Sequence, residues 1–254
     1  MSISDFRAKV LSNAPLAGTF MKTPAFEVLE VLIRAGLDFV CLDAEHAPFD
    51  KGALNACLSV ARAADFPVLV RVSSGSAENI GAALDLGACG IVVPHVMDAE
   101  SAARIARASR FGHGGRGYAG STRWAGFGTR GMGDVLDQSR DETLVIAQIE
   151  DPEAVEVAGA IAATDGIDAL FLGPADLSVA YGHRDQNNAE LKAAMANVGA
   201  AAQAHGKAYM TFVPNAESAA ALRPHGFGAF FIASEHAWMM QGARAAVAGI
   251  REIN

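Results

Sequence analysis

The stretch Leu144–Asp151, LVIAQIED, sets six mostly apolar residues directly against two acids. So short and continuous a run reads as a strand buried on both faces, the habit of parallel sheets, and the charges mark where burial stops. The same grammar recurs elsewhere. Ala169–Asp176, ALFLGPAD, ends on a carboxylate after a Gly-Pro turn; Phe39–Asp50, FVCLDAEHAPFD, carries Asp43, Glu45 and His46 at its end; Pro67–Ser73, PVLVRVS, closes on Arg71.

Working outward, strands are expected at Leu16–Met21, Phe39–Leu42, Val68–Val72, Ile91–Val93, Leu144–Ile149, Ala169–Leu172, Ala208–Phe212 and Ala229–Ile232. Between them, Ala53–Ala64, Glu78–Leu86, Ala99–Ser109, Pro152–Ala163, Ala189–His205 and Glu217–Leu222 have amphipathic helical spacing. Glu235–Arg251 reads as a final helix that could pack on another subunit. Alternating strands and helices define the α/β class, as a barrel or a doubly wound sheet. The 254 residues match one (β/α)₈ TIM barrel, so a single domain over residues 1–254 is expected. In such a barrel the C-terminal strand ends meet at one rim, which would gather Asp43, His46, Arg71, Glu150 and Asp176 around one pocket.

Phe111 to Gly133 breaks the rhythm, with nine glycines and three arginines where a short connection would suffice. Its GFGTRG spells G-x-G-x-x-G, but no strand precedes it and no convincing helix opens at its end, so dinucleotide binding is not expected. A mobile loop carrying Arg116, Arg123 or Arg130 toward an anionic substrate is the better reading, with ordinary surface arginines as the alternative.

Charge and composition narrow the field. Twenty basic against 28 acidic residues leave a net charge of −8. That balance argues against nucleic acid or anionic lipid as a partner, while a local arginine could still receive a small anion. Hydrophobic residues at 51% indicate a large buried core. Cys41, Cys57 and Cys89 are odd in number and set among apolar residues, so buried free thiols are expected. The N-terminus MSISDFRAKVLSN has no apolar signal core and no run approaches a membrane span, which points to a cytoplasmic protein.

The strand-end residues carry a chemistry. Glu150 and Asp176, with no Cys or His beside them, suit a hard divalent cation, although either could instead cap a helix. Asp43 next to His46 suits a carboxylate that orients an imidazole general base; a histidine satisfied by local backbone is the alternative. Arg71 at a buried rim calls for an anion, either a substrate carboxylate or enolate, or Glu150 or Asp43 in an ion pair. Glu45 is expected to point away if its turn stays extended. No lysine except Lys22 lies near a strand end, which disfavours a Schiff base. The remaining histidines, His95 among them, show no ligand spacing. Phe212 and Val213 are expected to line the pocket and tune the donor.

The segments LDAEHAPFD, RV, LDLGACGIVVPHV, RGYAGSTRW, QIED and GPADLS occur in an order and spacing that resembles the HpcH/HpaI aldolase family of class II pyruvate aldolases. The resemblance implies a barrel of the phosphoenolpyruvate/pyruvate-domain type whose final helix is exchanged between subunits, commonly in a hexamer. It implies His46 as catalytic base, Asp43 as its orienting partner and Asp85 as the acid that raises its basicity. Arg71 becomes the pyruvyl- and enolate-binding arginine. Gln148, Ala175 and Asp176 become substrate contacts, and Glu150 and Asp176 the ligands of Mg²⁺, Mn²⁺ or Co²⁺. The expected reaction is cleavage of a 4-hydroxy-2-oxoacid to pyruvate, or a hydroxypyruvate-like donor, plus an aldehyde. A CoA-thioester lyase of the citrate or malyl type, and a non-catalytic barrel that binds small oxoacids, are the alternatives.

Overall fold

The structure, a computed structural model, describes residues 1–253; Asn254, the last residue of the expected domain, lies outside them. Eight strands run β1 Leu16–Met21, β2 Phe39–Asp43, β3 Val68–Arg71, β4 Gly90–Val93, β5 Leu144–Ile149, β6 Ala169–Leu172, β7 Ala208–Val213 and β8 Ala229–Ser234. Each pairs in parallel with the next, and β8 closes onto β1, making the expected (β/α)₈ barrel. The observed ends adjust the functional reading at one place. β2 includes Asp43 and β3 ends on Arg71, and the two stand in register across the sheet.

Alternation along each strand sorts side chains into two cores. Outward residues such as Val40, Leu42, Val70, Ile91 and Leu170 pack under the helices. Inward ones fill the barrel, among them Phe20, Phe39, Leu69, Ile146, Phe171, Met210 and Phe231. Phe231 is the hub, with ring centroids 4.8 Å from Phe20 and 4.9 Å from both Phe39 and Phe171. This filling tolerates no Cβ at Gly18, where one would lie 2.2 Å from the Phe39 ring. Below the barrel the helix Ile3–Leu11 inserts Phe6, its ring 5.4 Å from Phe39.

Four α-helices lie outside the expected ranges: Ile3–Leu11, Phe26–Arg34, Pro174–Ala180 and Met132–Glu142. The last of these takes up Met132 and Gly133 from the end of the glycine-rich segment. Pro152–Ala163 is two short helices joined at Val157. The three cysteines are free and buried, as expected. Among the described residues no helix is long and apolar enough to cross a membrane. The final helix, Glu235–Arg251, buries only Glu235 and leaves Met239, Met240, Val247 and Ile250 exposed.

Candidate active site

The aromatic filling of the barrel ends at its C-terminal rim on Phe20 and Phe171, which floor a cavity of about 400 Å³. Lys22, Arg71, Pro174, Ala175, Phe212 and Ala233 are among the residues around it. The Arg71 guanidinium lies over the Phe20 ring, 4.3 Å from its centroid, so one face of the planar group is packed.

Register explains the first pair. With Asp43 and Arg71 side by side at their strand ends, Arg71 Nε donates to Asp43 Oδ1 at 3.0 Å and Nη2 donates to Oδ2 at 2.8 Å. Lys22, the first residue after β1, brings Nζ to 3.0 Å from the same carboxylate. Burial works to raise the Asp43 carboxyl, but the Arg71 bonds and charge outweigh it and hold it at about 2. Arg71 is held charged in turn, Asp43 overcoming the cost of its burial.

The turn after β2 corrects two expectations. Asp43 Oδ1 accepts the backbone N–H of His46 at 3.1 Å, so it closes the turn rather than orienting the imidazole. The closed turn folds Glu45 back over the site instead of away from it. Glu45 Oε2 is 3.3 Å from Arg71 Nε and 3.8 Å from His46 Nε2, and Oε1 is 4.0 Å from His95 Nε2. Burial pushes the Glu45 carboxyl up, against the charges of Arg71 and His46. The carboxylate paired with the half-exposed His46 ring is therefore Glu45. Asp85, expected to raise the basicity of His46, is held within its own chain by Arg116, which donates through Nε and Nη2.

Glu150 follows β5 and is buried, with different partners for its two oxygens. Oε1 accepts the His95 backbone N–H at 2.9 Å, while Oε2 accepts from the Gln148 amide. The missing side chain of Gly173 opens space between Glu150 and Asp176. A Cβ there would lie 3.1 Å from Glu150 Oε2 and 3.6 Å from Asp176 Oδ2. Two carboxylates facing a gap that a methyl group would fill, beside a buried Gln148 Oε1 without a partner, fit a divalent cation. Asp176 is in the first turn of the helix Pro174–Ala180, with Ala175 beside it on the cavity wall.

His95 was missed. It follows the apolar run GIVV through a single proline, the same strand-end signal that singled out Glu150, but it has no potential ligand at metal-site spacing in the sequence. With Glu45 and Glu150 it offers three ligand atoms within 4.8 Å of one another. Phe212 lines the cavity as expected; Val213 points outward into the shell under the helices, because side chains alternate along β7. The three loop arginines do not reach the cavity. Arg116 is buried against Asp85, Phe111 and Trp124, Arg123 donates to Asn55, and Arg130 donates to the Asp134 carbonyl.

Known proteins are similar to this chain over most of its length. The sequence profile of the HpcH/HpaI aldolase/citrate lyase family matches residues 16–240. The hydroxypyruvate/pyruvate aldolase of Paraburkholderia phytofirmans is 34% identical over 253 residues, covering 96% of each chain. The 5-keto-4-deoxy-D-glucarate aldolase of Klebsiella pneumoniae is 37% identical over 206 residues, 80% of this chain and 79% of that one. A crystal structure of a family protein from Burkholderia cenocepacia superposes with a TM-score of 0.92 at 32% identity, covering 98% of this chain and 100% of that one. The chain belongs to the HpcH/HpaI aldolase/citrate lyase family of carbon–carbon lyases.

Proposed function

We propose that this protein is a divalent-metal-dependent aldolase that reversibly cleaves a 4-hydroxy-2-oxoacid to pyruvate, or a hydroxypyruvate-like donor, and an aldehyde. The observation that carries the reading is Arg71, fixed on its aromatic floor by Asp43 and facing the cavity, at the same strand-end rim where Glu150 and Asp176 approach each other across Gly173. The names of the two aldolases above support it.

Glu150 and Asp176 hold the ion, with Mg²⁺, Mn²⁺ and Co²⁺ as candidates suited to carboxylate oxygen. When bound, the ion supplies positive charge and Lewis acidity to the oxygens of a 2-oxoacid. Arg71 orients the oxoacid and stabilises the negative oxygen that develops as the C3–C4 bond breaks. Gln148 and Ala175 contact the substrate from β5 and the Pro174–Ala180 helix. His46 takes the proton of the C4 hydroxyl, the C3–C4 bond breaks to give aldehyde and enolate, and the same proton returned to C3 gives the pyruvate methyl group. Asp43 positions Arg71 and the His46 turn, and Glu45 is the carboxylate that faces the His46 ring. Asp85 joins the His46 chemistry only if assembly or loop motion frees it from Arg116.

The exposed apolar side of the Glu235–Arg251 helix supports its exchange between subunits in a homo-oligomer, a hexamer by resemblance. The experiment is proton–deuterium exchange at the pyruvate methyl group in D₂O with Mn²⁺ or Mg²⁺, before and after chelation, in wild type and Glu150→Ala. Metal-dependent exchange lost in the variant is expected. No exchange with any divalent ion would overturn pyruvate enolisation and shift weight to a thioester lyase.

A further inference from the structure

His95 takes no part in the reaction described above, yet the fold spends three interactions on placing it. We infer that His95 is a protein ligand, through Nε2, of the divalent ion at Glu150, and that Asp151 is the carboxylate that orients its ring. The inference rests on the metal-dependent reading and deepens it by naming the donor that sets ion preference.

Placement begins in the backbone. His95 has φ +51°, in the left-handed region that side-chain-bearing residues seldom occupy. Its amide N–H is tied to Glu150 Oε1 at 2.9 Å. That turn sets the imidazole beside the very carboxylate that would hold the ion.

The ring is oriented by a second acid. His95 Nδ1 lies 3.0 Å from Asp151 Oδ2. With the proton on Nδ1 this is a donated hydrogen bond, and it leaves the Nε2 lone pair free. Asp151 forgoes an ordinary role to make it. It stands at the N-cap of the helix Pro152–Glu156, where an aspartate usually accepts an amide of the first turn, but its side chain caps nothing. Nδ1 also lies 3.4 Å from Glu150 Oε1, while Nε2 faces Glu45 Oε1, and a histidine that gives one ring N–H to a carboxylate and keeps the other nitrogen free has the arrangement of metal-bound histidines.

The oxygens are present. His95 Nε2 is 4.0 Å from Glu45 Oε1, and one atom each from Glu45, His95 and Glu150 lie within 4.8 Å of one another. Bonds of about 2.1 Å to ligands on opposite sides of one ion reach about 4.2 Å, so the 4.0 Å between His95 Nε2 and Glu45 Oε1 is within the span of a single ion. Glu45 Oε2 is also buried without a hydrogen-bond partner.

An imidazole ligand alters ion choice. Carboxylates alone suit Mg²⁺ and Mn²⁺, whereas imidazole favours Co²⁺, Ni²⁺ and Zn²⁺. All sites rank these ions in a similar order, so the diagnostic quantity is how far His95 widens the gap between Co²⁺ and Mg²⁺.

The test is pulsed EPR of Mn²⁺ on the full chain, with histidine in ¹⁴N or ¹⁵N form, together with titration calorimetry of Co²⁺ and Mg²⁺. The variants are His95→Asn, which tolerates the left-handed backbone, and His46→Asn, Asp151→Asn and Glu150→Ala. A directly bonded histidine nitrogen is expected in wild type and in His46→Asn, and lost in His95→Asn. Affinity for Co²⁺ should fall about tenfold or more in His95→Asn and about tenfold in Asp151→Asn, with Mg²⁺ affinity changed far less. Manganese that binds in a Glu150-dependent way without a nitrogen coupling, or with one that survives in His95→Asn, overturns the inference and leaves the metal-dependent aldolase standing. Manganese that fails to bind, or binds equally well in Glu150→Ala, overturns both. Should His95→Asn not fold, the wild-type and His46→Asn spectra decide, since a coupling lost in His46→Asn also refutes the assignment to His95.

Discussion

Arg71 and Asp43 are neighbours in the barrel register and join through two parallel hydrogen bonds, 3.0 Å from Nε and 2.8 Å from Nη2, beneath a surface that leaves Asp43 fully buried. The same guanidinium lines the cavity, so in the proposed function the pair serves the site as well as the fold.

Removing one member should cost more than removing both. Arg71→Met leaves a buried carboxylate with only Lys22 and one amide, and is expected to destabilise the fold by about 3–5 kcal/mol in urea unfolding. Arg71→Met combined with Asp43→Leu should recover much of that loss without restoring pyruvate exchange. Arg71→Lys lacks the planar fork and should lose exchange as well. A single Arg71→Met variant within about 1 kcal/mol of wild type would show that the pair contributes little.

Acid should reveal the same carboxylate. Its pKa of about 2 in the fold lies below an unfolded value of about 3.9, so the unfolded chain binds more protons between those values. The stabilisation is therefore complete well above pH 4 and is lost as pH falls through 2, amounting to about 3 kcal/mol. Urea unfolding at pH 5, 4 and 3 is expected to show a shallower fall in stability for Asp43→Asn than for wild type. Equal slopes would mean that other carboxylates carry the acid sensitivity.

Gly173 offers a test of the ion site that leaves every proposed ligand in place. It has φ −88°, so alanine is compatible with its backbone, but the added methyl would lie 2.9 Å from Glu150 Cβ and 3.1 Å from Oε2. Gly173→Ala is expected to weaken Mn²⁺ binding by about tenfold or more, as displaced support around ligands does, with far-ultraviolet circular dichroism unchanged. Unchanged calorimetric affinity would place the ion away from the gap between Glu150 and Asp176.

Most of the barrel was legible because each strand is an apolar run bounded by turn residues. The helices Phe26–Arg34 and Ile3–Leu11 were not, since segments of nine residues are marginal as isolated helices and gain their stability from the barrel they cover. Strand-end position located Asp43, Arg71 and Glu150. It could not say that Asp43 would bond the His46 amide and so swing Glu45 inward, because that depends on how one side chain closes a turn. His95 obeyed the strand-end rule and was lost for want of a neighbouring ligand in sequence. Its partners Glu45, Glu150 and Asp151 come from two other strand ends, a proximity only the closed barrel creates.

The final helix should govern assembly. Its outer turns expose Met240 at 53%, Val247 at 47% and Ile250 at 69%, an apolar row that an isolated barrel gains nothing by presenting to water. Val247→Glu with Ile250→Glu is expected to lower the mass seen by light scattering, with the thermal transition of the barrel little changed. Full mass in the double variant would show that this helix is not the interface.

Phe212 should set which donor the cavity accepts. β7 alternation turns it inward beside Phe20 and Phe171, whereas Val213 faces the helices. In the proposed function it borders the cavity that would receive the third carbon of the oxoacid, a methyl group in pyruvate and a hydroxymethyl group in hydroxypyruvate. Phe212→Ala removes several ring carbons from that wall and makes room for the larger donor. Because one extra group in an apolar pocket is worth about 1–3 kcal/mol of discrimination, the ratio of kcat/KM for hydroxypyruvate over pyruvate should shift by about tenfold or more. Competition between the two donors for one aldehyde measures the ratio directly, and an unchanged ratio would remove Phe212 from the donor pocket.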